Sequence, residues 1–230
     1  HLPLCALCGS NERREWARDR SFEGTSKMIG IVNYGLGNVQ AFANIYKRLN
    51  IPVIIADTTE AILASDRIIL PGVGAFDWAM KRLDASGLRP ALEEAVSRGK
   101  PILGICVGMQ ILARRSDEGT LPGLGWIDGE VKRFDENTFN QKTRLPHMGW
   151  NDVAPCNGSG LFRELETGAR FYFLHSYYFV PRNPDHVLAT TDYNGRFASA
   201  VQAGHVLGVQ FHPEKSHAWG IQLLKNFAEF

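Results

Sequence analysis

Nowhere in the 230 residues does an apolar run reach the roughly 18 to 20 positions that a membrane span needs, so no membrane is expected as partner. Cysteine is scarce. Cys5, Cys8, Cys106 and Cys156 are the only four, too few and too scattered for a disulfide scaffold, and a reducing cytoplasm is the expectation. An excess of charge of one sign is missing too: 25 basic residues stand against 24 acidic ones, a formal net charge of +1. That balance gives no reason to expect nucleic acid as a partner. The opening stretch "HLPLCALCGSNERREWARDR" has no basic region ahead of its short apolar run and does not read as a secretory signal. What remains is an ordinary globular composition, long enough for one domain with a full core.

The first 27 residues differ from the rest. "SNERREWARDRSFEGTSK" is charge-dense without a sustained apolar period, so residues 1–27 are expected to form a loosely ordered extension and residues 28–230 the folded domain. Cys5 and Cys8 make one C-x-x-C, half of a zinc site. With no second pair nearby, no metal is expected there. From Met28 the chain alternates. "IGIVNY", "IPVIIAD", "RIILPG" and "PILGI" read as buried strands, and between them "VQAFANIYKRL", "FDWAMKRLDAS" and "LRPALEEAVSRG" have helical spacing. The last strand leads into "VGMQILARR", read as a helix. Beyond about Leu121 the texture changes to closely spaced strands: "LGWIDGEVKRF", "FYFLHSYYFV", "HVLATTDY", "FASAVQ" and "HVLGVQF". A tight-turn signal lies in "VQAGHVLG", and a final helix carries Leu223, Leu224 and Phe227 on one face. The expected fold is therefore α/β: a central, mostly parallel sheet flanked by helices, with antiparallel strands added in the C-terminal half.

One stretch raises a chemical question. In "GICVGMQ" a cysteine stands at the end of a strand and the start of a helix, with glycines two residues before and after it. That is the layout of a nucleophile elbow with sulfur in place of oxygen. Cys106 would sit at the C-terminal edge of the sheet, where open α/β sheets bind ligands. A helix N-terminus there would favour the thiolate, and the Val107 amide would face a developing oxyanion. The competing reading is a small buried hydrophobe.

A nucleophile needs a base. His1, His186 and His217 lie in polar contexts and read as solvated; His205 follows a turn and reads as exposed. His147 and His175 sit among aromatics and read as packed. His212 differs, because "GVQFHPE" ends an apolar strand. In an extended segment Glu214 lies on the same side as His212 and could orient it, unless the two are only a surface cluster. "PGVGAF" ends another strand with two glycines and could supply a second oxyanion donor, or be a plain turn. "YGLGN" has Gln40 where a dinucleotide fingerprint needs its third glycine, and no cofactor is called for.

Taken together, "NYGLGN", "LPGVGAF", "GICVGMQ", "LPHMGWN", "FYFLHSYY" and "GVQFHPEKS" resemble the class I (triad) glutamine amidotransferases from Met28 to the end of the chain. The resemblance implies that Cys106 attacks the side-chain amide of glutamine, that His212 shuttles the proton and that Glu214 orients the imidazole. It implies oxyanion contacts at Val73, Gly74 and Val107. Substrate contacts would come from Gly72, Gln110, Glu118 and the backbone around His175, Ser176 and Tyr177. Within the family the likeness is to histidine-pathway glutaminases, which work as heterodimers beside a (β/α)8-barrel synthase subunit and pass ammonia to it through a channel. By that analogy Asn38 and Lys215 lie toward the partner, although Lys215 also reads as a solvated charge. "NVQAFANIYKRLNIP" and "GIQLLKNFAEF" look more like paralogues that feed ammonia to a sugar amidotransferase in surface-polysaccharide synthesis. A stand-alone amidase on the same fold and a binding module without activity are the other readings.

Overall fold

The computed structural model describes residues 27–140, 143–156 and 158–230. The expected extension, Lys27 apart, and with it Cys5 and Cys8, lies outside them.

The first half is a parallel α/β unit. Strands β1 (Ile29–Val32), β2 (Val53–Ala56), β3 (Arg67–Gly72) and β4 (Ile102–Cys106) alternate with α1 (Val39–Arg48), α2 (Thr59–Ala64), α3 (Phe76–Ser86) and α4 (Arg89–Ser97). Every residue of β1, β3 and β4 is buried, as expected of strands covered on both faces, and this explains why they read as continuous apolar runs. Asn38 caps α1 by accepting from the Ala41 N–H at 3.1 Å, and Lys47 and Arg48 complement its C-terminal carbonyls. α2 had no assignment in the sequence because six residues are too few to show a period. After β4 come α5 (Val107–Gln110), β5 (Arg115–Ser116), β6 (Gly129–Arg133), β7 (His147–Asp152) and β8 (Ala154–Pro155). They are followed by β9 (Arg170–His175), β10 (Tyr177–Pro181), β11 (Val187–Asp192), β12 (Arg196–Ala203), β13 (Val206–Val209) and α6 (His217–Glu229).

Among the described residues the main sheet runs β2-β1-β3-β4-β13-β12-β10-β6-β5, with β11 and β8 joined beside β12. The pairings β2-β1, β1-β3, β3-β4 and β4-β13 are parallel, and those of β12 and β10 are antiparallel. The expected architecture holds. The step from β1 to β2 runs one way along the sheet and the step from β2 to β3 the other, so right-handed crossovers put α1 and α2 on opposite faces. Accordingly α2 packs with α4 and α1 with α6, where the Tyr46 hydroxyl donates to the Leu224 carbonyl at 2.9 Å.

Two expectations need correction. "FYFLHSYYFV" is not one strand: it breaks at Ser176 into β9, which pairs only with β7 in a separate two-stranded sheet, and β10 in the main sheet. "VGMQILARR" is not a long helix. After one turn, the carbonyls of Ile111, Ala113 and Leu112 accept from the N–H groups of Leu124, Gly125 and Ile127 at 2.8, 3.1 and 3.1 Å. The loop that returns at 123–127 takes the acceptors that a continuing helix would use.

The turn between β4 and α5 is tight. Cys106 is held at φ 55°, ψ −114°, a strained region for a residue with a side chain. A Cβ at Gly108 would lie 1.9 Å from the Leu70 carbonyl oxygen, and one at Gly104 would lie 2.5 Å from the Gly108 oxygen. The glycines flanking the thiol are therefore packing requirements between β3, β4 and α5. Gly108→Ala is expected to lower the free energy of unfolding by about 2 kcal/mol or more, since backbone rather than a movable side chain blocks the methyl. Urea denaturation followed by circular dichroism checks this, and an unchanged midpoint contradicts it.

Candidate active site

Three segments meet at the C-terminal edge of the sheet. β4 delivers Cys106, the end of β3 delivers Gly72–Gly74, and the segment after β13 delivers His212. Gly72 lies directly beside Cys106 in the β3–β4 register. Between the segments lies a cavity of about 280 Å³, lined by Val73, Gly74, Cys106, Val107, Gln110, Glu118, Pro146, Leu174, His175, Ser176, Tyr177, His212 and Lys215. Of the triad, oxyanion, substrate and partner residues expected from the sequence, only Gly72, Glu214 and Asn38 do not line it. Gly72 is buried at the end of β3, Glu214 stands behind His212, and Asn38 caps α1.

His212 is buried and hydrogen-bonded to Glu214, and Cys106 is the other group whose proximity raises its pKa. Nδ1 and Glu214 Oε1 are 2.8 Å apart, with both side chains about 5% exposed or less. The route to that contact differs from the expected one. Glu214 does not continue an extended strand: Pro213–Lys215 form a 3₁₀ turn, which folds the carboxylate back onto the ring. Burial alone would lower the His212 pKa, but the hydrogen bonds and charges of Cys106 and Glu214 outweigh it and push the value up to about 10. Glu214 Oε2 has no hydrogen-bond partner among the described residues, so the imidazolium is the main compensation for the buried carboxylate. The expected contribution of a long helix to the sulfur is reduced, because α5 is a single turn and the macrodipole needs aligned peptides. The imidazole is the full positive charge that couples to the sulfur.

Gln110, one turn after the thiol, donates through Nε2 to the Tyr177 carbonyl at 3.2 Å. Glu118 Oε2 accepts from the Phe76 N–H at 3.0 Å, tying it to the first residue of α3 just after the glycine loop. Burial is the main cause of the raised pKa of Glu118; the Phe76 hydrogen bond opposes the shift and the Asp77 charge adds to it. Asp77 in turn accepts from the N–H groups of Thr120 and Leu121 at 2.9 and 3.0 Å, fixing the loop that carries Glu118.

His147 and His175 are packed among aromatics, as their contexts suggest: His147 stacks on Phe173 and Tyr193 with centroids 4.6 and 3.9 Å away. His175 Nδ1 lies 2.8 Å from the Tyr177 carbonyl and must donate to it. Its Nε2 therefore accepts from His147 Nδ1 at 2.9 Å, and His147 Nε2 accepts from Asn151 at 3.2 Å. Both rings are neutral, their pKa values lowered by burial to about 3 for His175 and about 4 for His147. His205 departs from expectation, since it is half-buried and donates to the Val96 carbonyl at 2.8 Å. His217 is exposed, with its ring stacked on Trp150 at 5.3 Å, and His186 is half-buried. Sequence reasoning missed Leu174 and Pro146 at the cavity. It also missed Gln210, which is fully buried and whose Nε2 lies 3.8 Å from the sulfur. A buried polar residue two positions before His212 in an apolar strand was the available signal.

A thiol on a strained turn, a histidine in the same cavity wall and a carboxylate behind the histidine form the arrangement used for acyl transfer through sulfur. Residues 31–229 match the family model described as glutamine amidotransferase class-I, and the chain belongs to that family. Among curated relatives, imidazole glycerol phosphate synthase subunit HisH of Bdellovibrio bacteriovorus is 59% identical over 203 residues, which span 88% of this chain and 100% of that protein. The subunit of the same name from Leptospira interrogans is 48% identical over 202 residues, 87% of this chain and 99% of that one. A crystal structure of glutamine amidotransferase superposes with a TM-score of 0.66 at 22% identity, covering 87% of this chain and 97% of its own. PurLQS from Thermotoga maritima does so with 0.62 at 20%, covering 89% and 98%. At those identities the fold is what is shared.

The histidine pair carries a pH prediction. Unfolded histidines bind protons near pH 6.5, whereas His147 and His175 in the fold do not until about pH 4 and 3. Stability is therefore full above about pH 6.5 and falls as the pH drops toward 4. His212 works in the opposite sense: its contribution is full below about 6.5 and fades as the pH rises toward 10. Urea midpoints at pH 7.5 and 4.5 should fall more for wild type than for His147→Gln, which keeps a donor toward His175 without a titrating ring. Equal losses would contradict the assignment.

Proposed function

We propose that this chain is the glutaminase subunit of an imidazole glycerol phosphate synthase, hydrolysing glutamine to glutamate and ammonia and passing the ammonia to a (β/α)8-barrel synthase subunit. Residues 28–230 form the amidotransferase unit. The observation that carries the reading is that Cys106, at its strained turn, lines one cavity with His212, whose Nδ1 sits 2.8 Å from Glu214. The shared name of the relatives favours the histidine-pathway partner over the surface-polysaccharide alternative. The unpaired state of Cys106 and Cys156 suits a cytoplasmic enzyme.

In this mechanism glutamine enters the cavity with its ammonium on Glu118 and its amide beside Gln110, Ser176 and Tyr177. Cys106 attacks the amide carbon as His212 holds the thiol proton. The oxyanion is received by backbone N–H groups of Val107 and of the Val73–Gly74 loop. His212 then gives its proton to the departing nitrogen, the C–N bond breaks, and ammonia leaves a γ-glutamyl thioester. Water, deprotonated by His212, attacks the thioester; glutamate departs and the thiol is restored. Glu214 keeps the imidazole aligned throughout.

An exposed patch beside the cavity supports docking of the partner there. Trp150 and Trp219 are 37% and 38% exposed, and Met148 and Leu174 project beside them on the two-stranded sheet. Lys215, a cavity-lining residue, lies over the Tyr172 ring at 5.8 Å. Large aromatics next to a catalytic opening suit a docking surface that closes over it. Asn38 lies at the N-terminus of α1, which follows β1 at the same edge of the sheet.

Cys106→Ala should reduce glutamate release, measured with the barrel subunit and its ligand present, by several powers of ten; near wild-type release would reject Cys106 as nucleophile. Trp150→Ala should weaken binding of the barrel subunit about tenfold or more in calorimetric titration, and unchanged affinity would move the interface elsewhere.

A further inference from the structure

Cys106 has a second polar neighbour that the mechanism above does not use. Gln210 is 0% exposed, and its Nε2 lies 3.8 Å from Cys106 Sγ, within reach of sulfur's larger radius. Gln210 and His212 are two residues apart on the segment leaving β13.

The orientation of the Gln210 amide follows from its neighbours. The Tyr177 carbonyl only accepts, and it receives His175 Nδ1 at 2.8 Å and Gln110 Nε2 at 3.2 Å. Gln110 must therefore present its NH2 group there. The same nitrogen lies 3.0 Å from Gln210 Oε1 and donates to it. Turning either amide over would set oxygen against oxygen or NH2 against NH2. The end of Gln210 that faces the sulfur is thus its N–H donor. Behind Tyr177 the order continues through His175 and His147 to Asn151, whose amide also donates to the Asp192 carbonyl at 2.9 Å. No member of this chain carries a charge, which is what allows it to lie buried.

We propose that Gln210 is a further catalytic residue: its amide N–H, locked by Gln110 and the Tyr177 carbonyl, donates to Cys106 Sγ and steadies the negative charge on sulfur before attack and after thioester breakdown. A carboxamide suits this task because it cannot take the proton from the thiol, so it does not compete with His212 as base. The other titratable group whose charge couples to Cys106 is Tyr34. Its pKa is raised, chiefly by burial, so it stays neutral, and its hydroxyl donates to the Pro71 carbonyl at 2.6 Å. The inference rests on Cys106 being the nucleophile.

The test is alkylation of the full-length chain by iodoacetamide from pH 5 to 9, with Cys106 modification quantified by peptide mass spectrometry. Gln210→Met fills the space without a donor, and Gln210→Glu keeps the shape but turns an acceptor toward the sulfur. At pH 7, Gln210→Met should react about three- to tenfold more slowly than wild type, with the whole profile moved to higher pH, and Gln210→Glu should be slower still. In glutamine hydrolysis kcat should fall while KM stays close to wild type, since Gln210 does not line the cavity. Circular dichroism identifies folded variants, and either folded variant suffices. Wild-type alkylation rate and profile in a folded variant would make Gln210 a packing residue and overturn the proposal. Failure of wild-type Cys106 to react at all would instead remove the nucleophile reading and the proposal with it.

Discussion

A single imidazole suspended between a thiol and a carboxylate, almost out of contact with water, is the constraint around which this fold is arranged. A buried carboxylate is stable only when it is compensated, and at Glu214 the compensation is the His212 ring at 2.8 Å. A buried histidine left alone would lose its proton, as His147 and His175 do. His212 keeps its own because two partners outweigh the same desolvation. The contrast between neutral and protonated histidines at one site is a statement about neighbours, since burial is common to all three.

Bringing those partners together takes three distant segments. The parallel register that sets Gly72 beside Cys106 also brings the end of β13 next to β4, so the strand edge delivers loop, nucleophile and base to one place. The strain at Cys106 is held by the close approach of Gly104 and Gly108 to backbone. Around that edge lies a shell of hydrogen bonds. One branch holds Glu118 against the start of α3, and the other runs from Asn151 through two histidines to Gln110 and Gln210. The second branch is made of neutral groups, which hold their neighbours in place without adding charge that would compete with the triad.

Much of this was legible before any coordinates. Continuous apolar runs marked the parallel strands because those strands are buried on both faces, and the glycine spacing around Cys106 marked a turn that tolerates no other residue. The His212–Glu214 pair was also visible, although through the wrong geometry: the contact depends on a 3₁₀ turn that proline favours, not on strand alternation. What stayed hidden depends on contacts far apart in the chain. The helix after Cys106 stops because a loop more than ten residues later takes its carbonyls, which no local propensity records. "FYFLHSYYFV" is rich in aromatics on both sides of His175 and Ser176, so nothing in its period shows that Ser176 divides it between two sheets. Gln210 went unremarked within "HVLGVQF", because its partners Gln110 and Cys106 lie about a hundred residues away.

The central claim is that His212 carries a proton at neutral pH because Cys106 and Glu214 hold it there. Nitrogen-15 NMR of the imidazole across pH 5 to 10 reads that proton directly. The account predicts a His212 signal that stays imidazolium through pH 8 in the wild-type chain and titrates at distinctly lower pH in Cys106→Ala. A His212 ring already neutral at pH 7, or one whose titration ignores loss of the thiol, would contradict it.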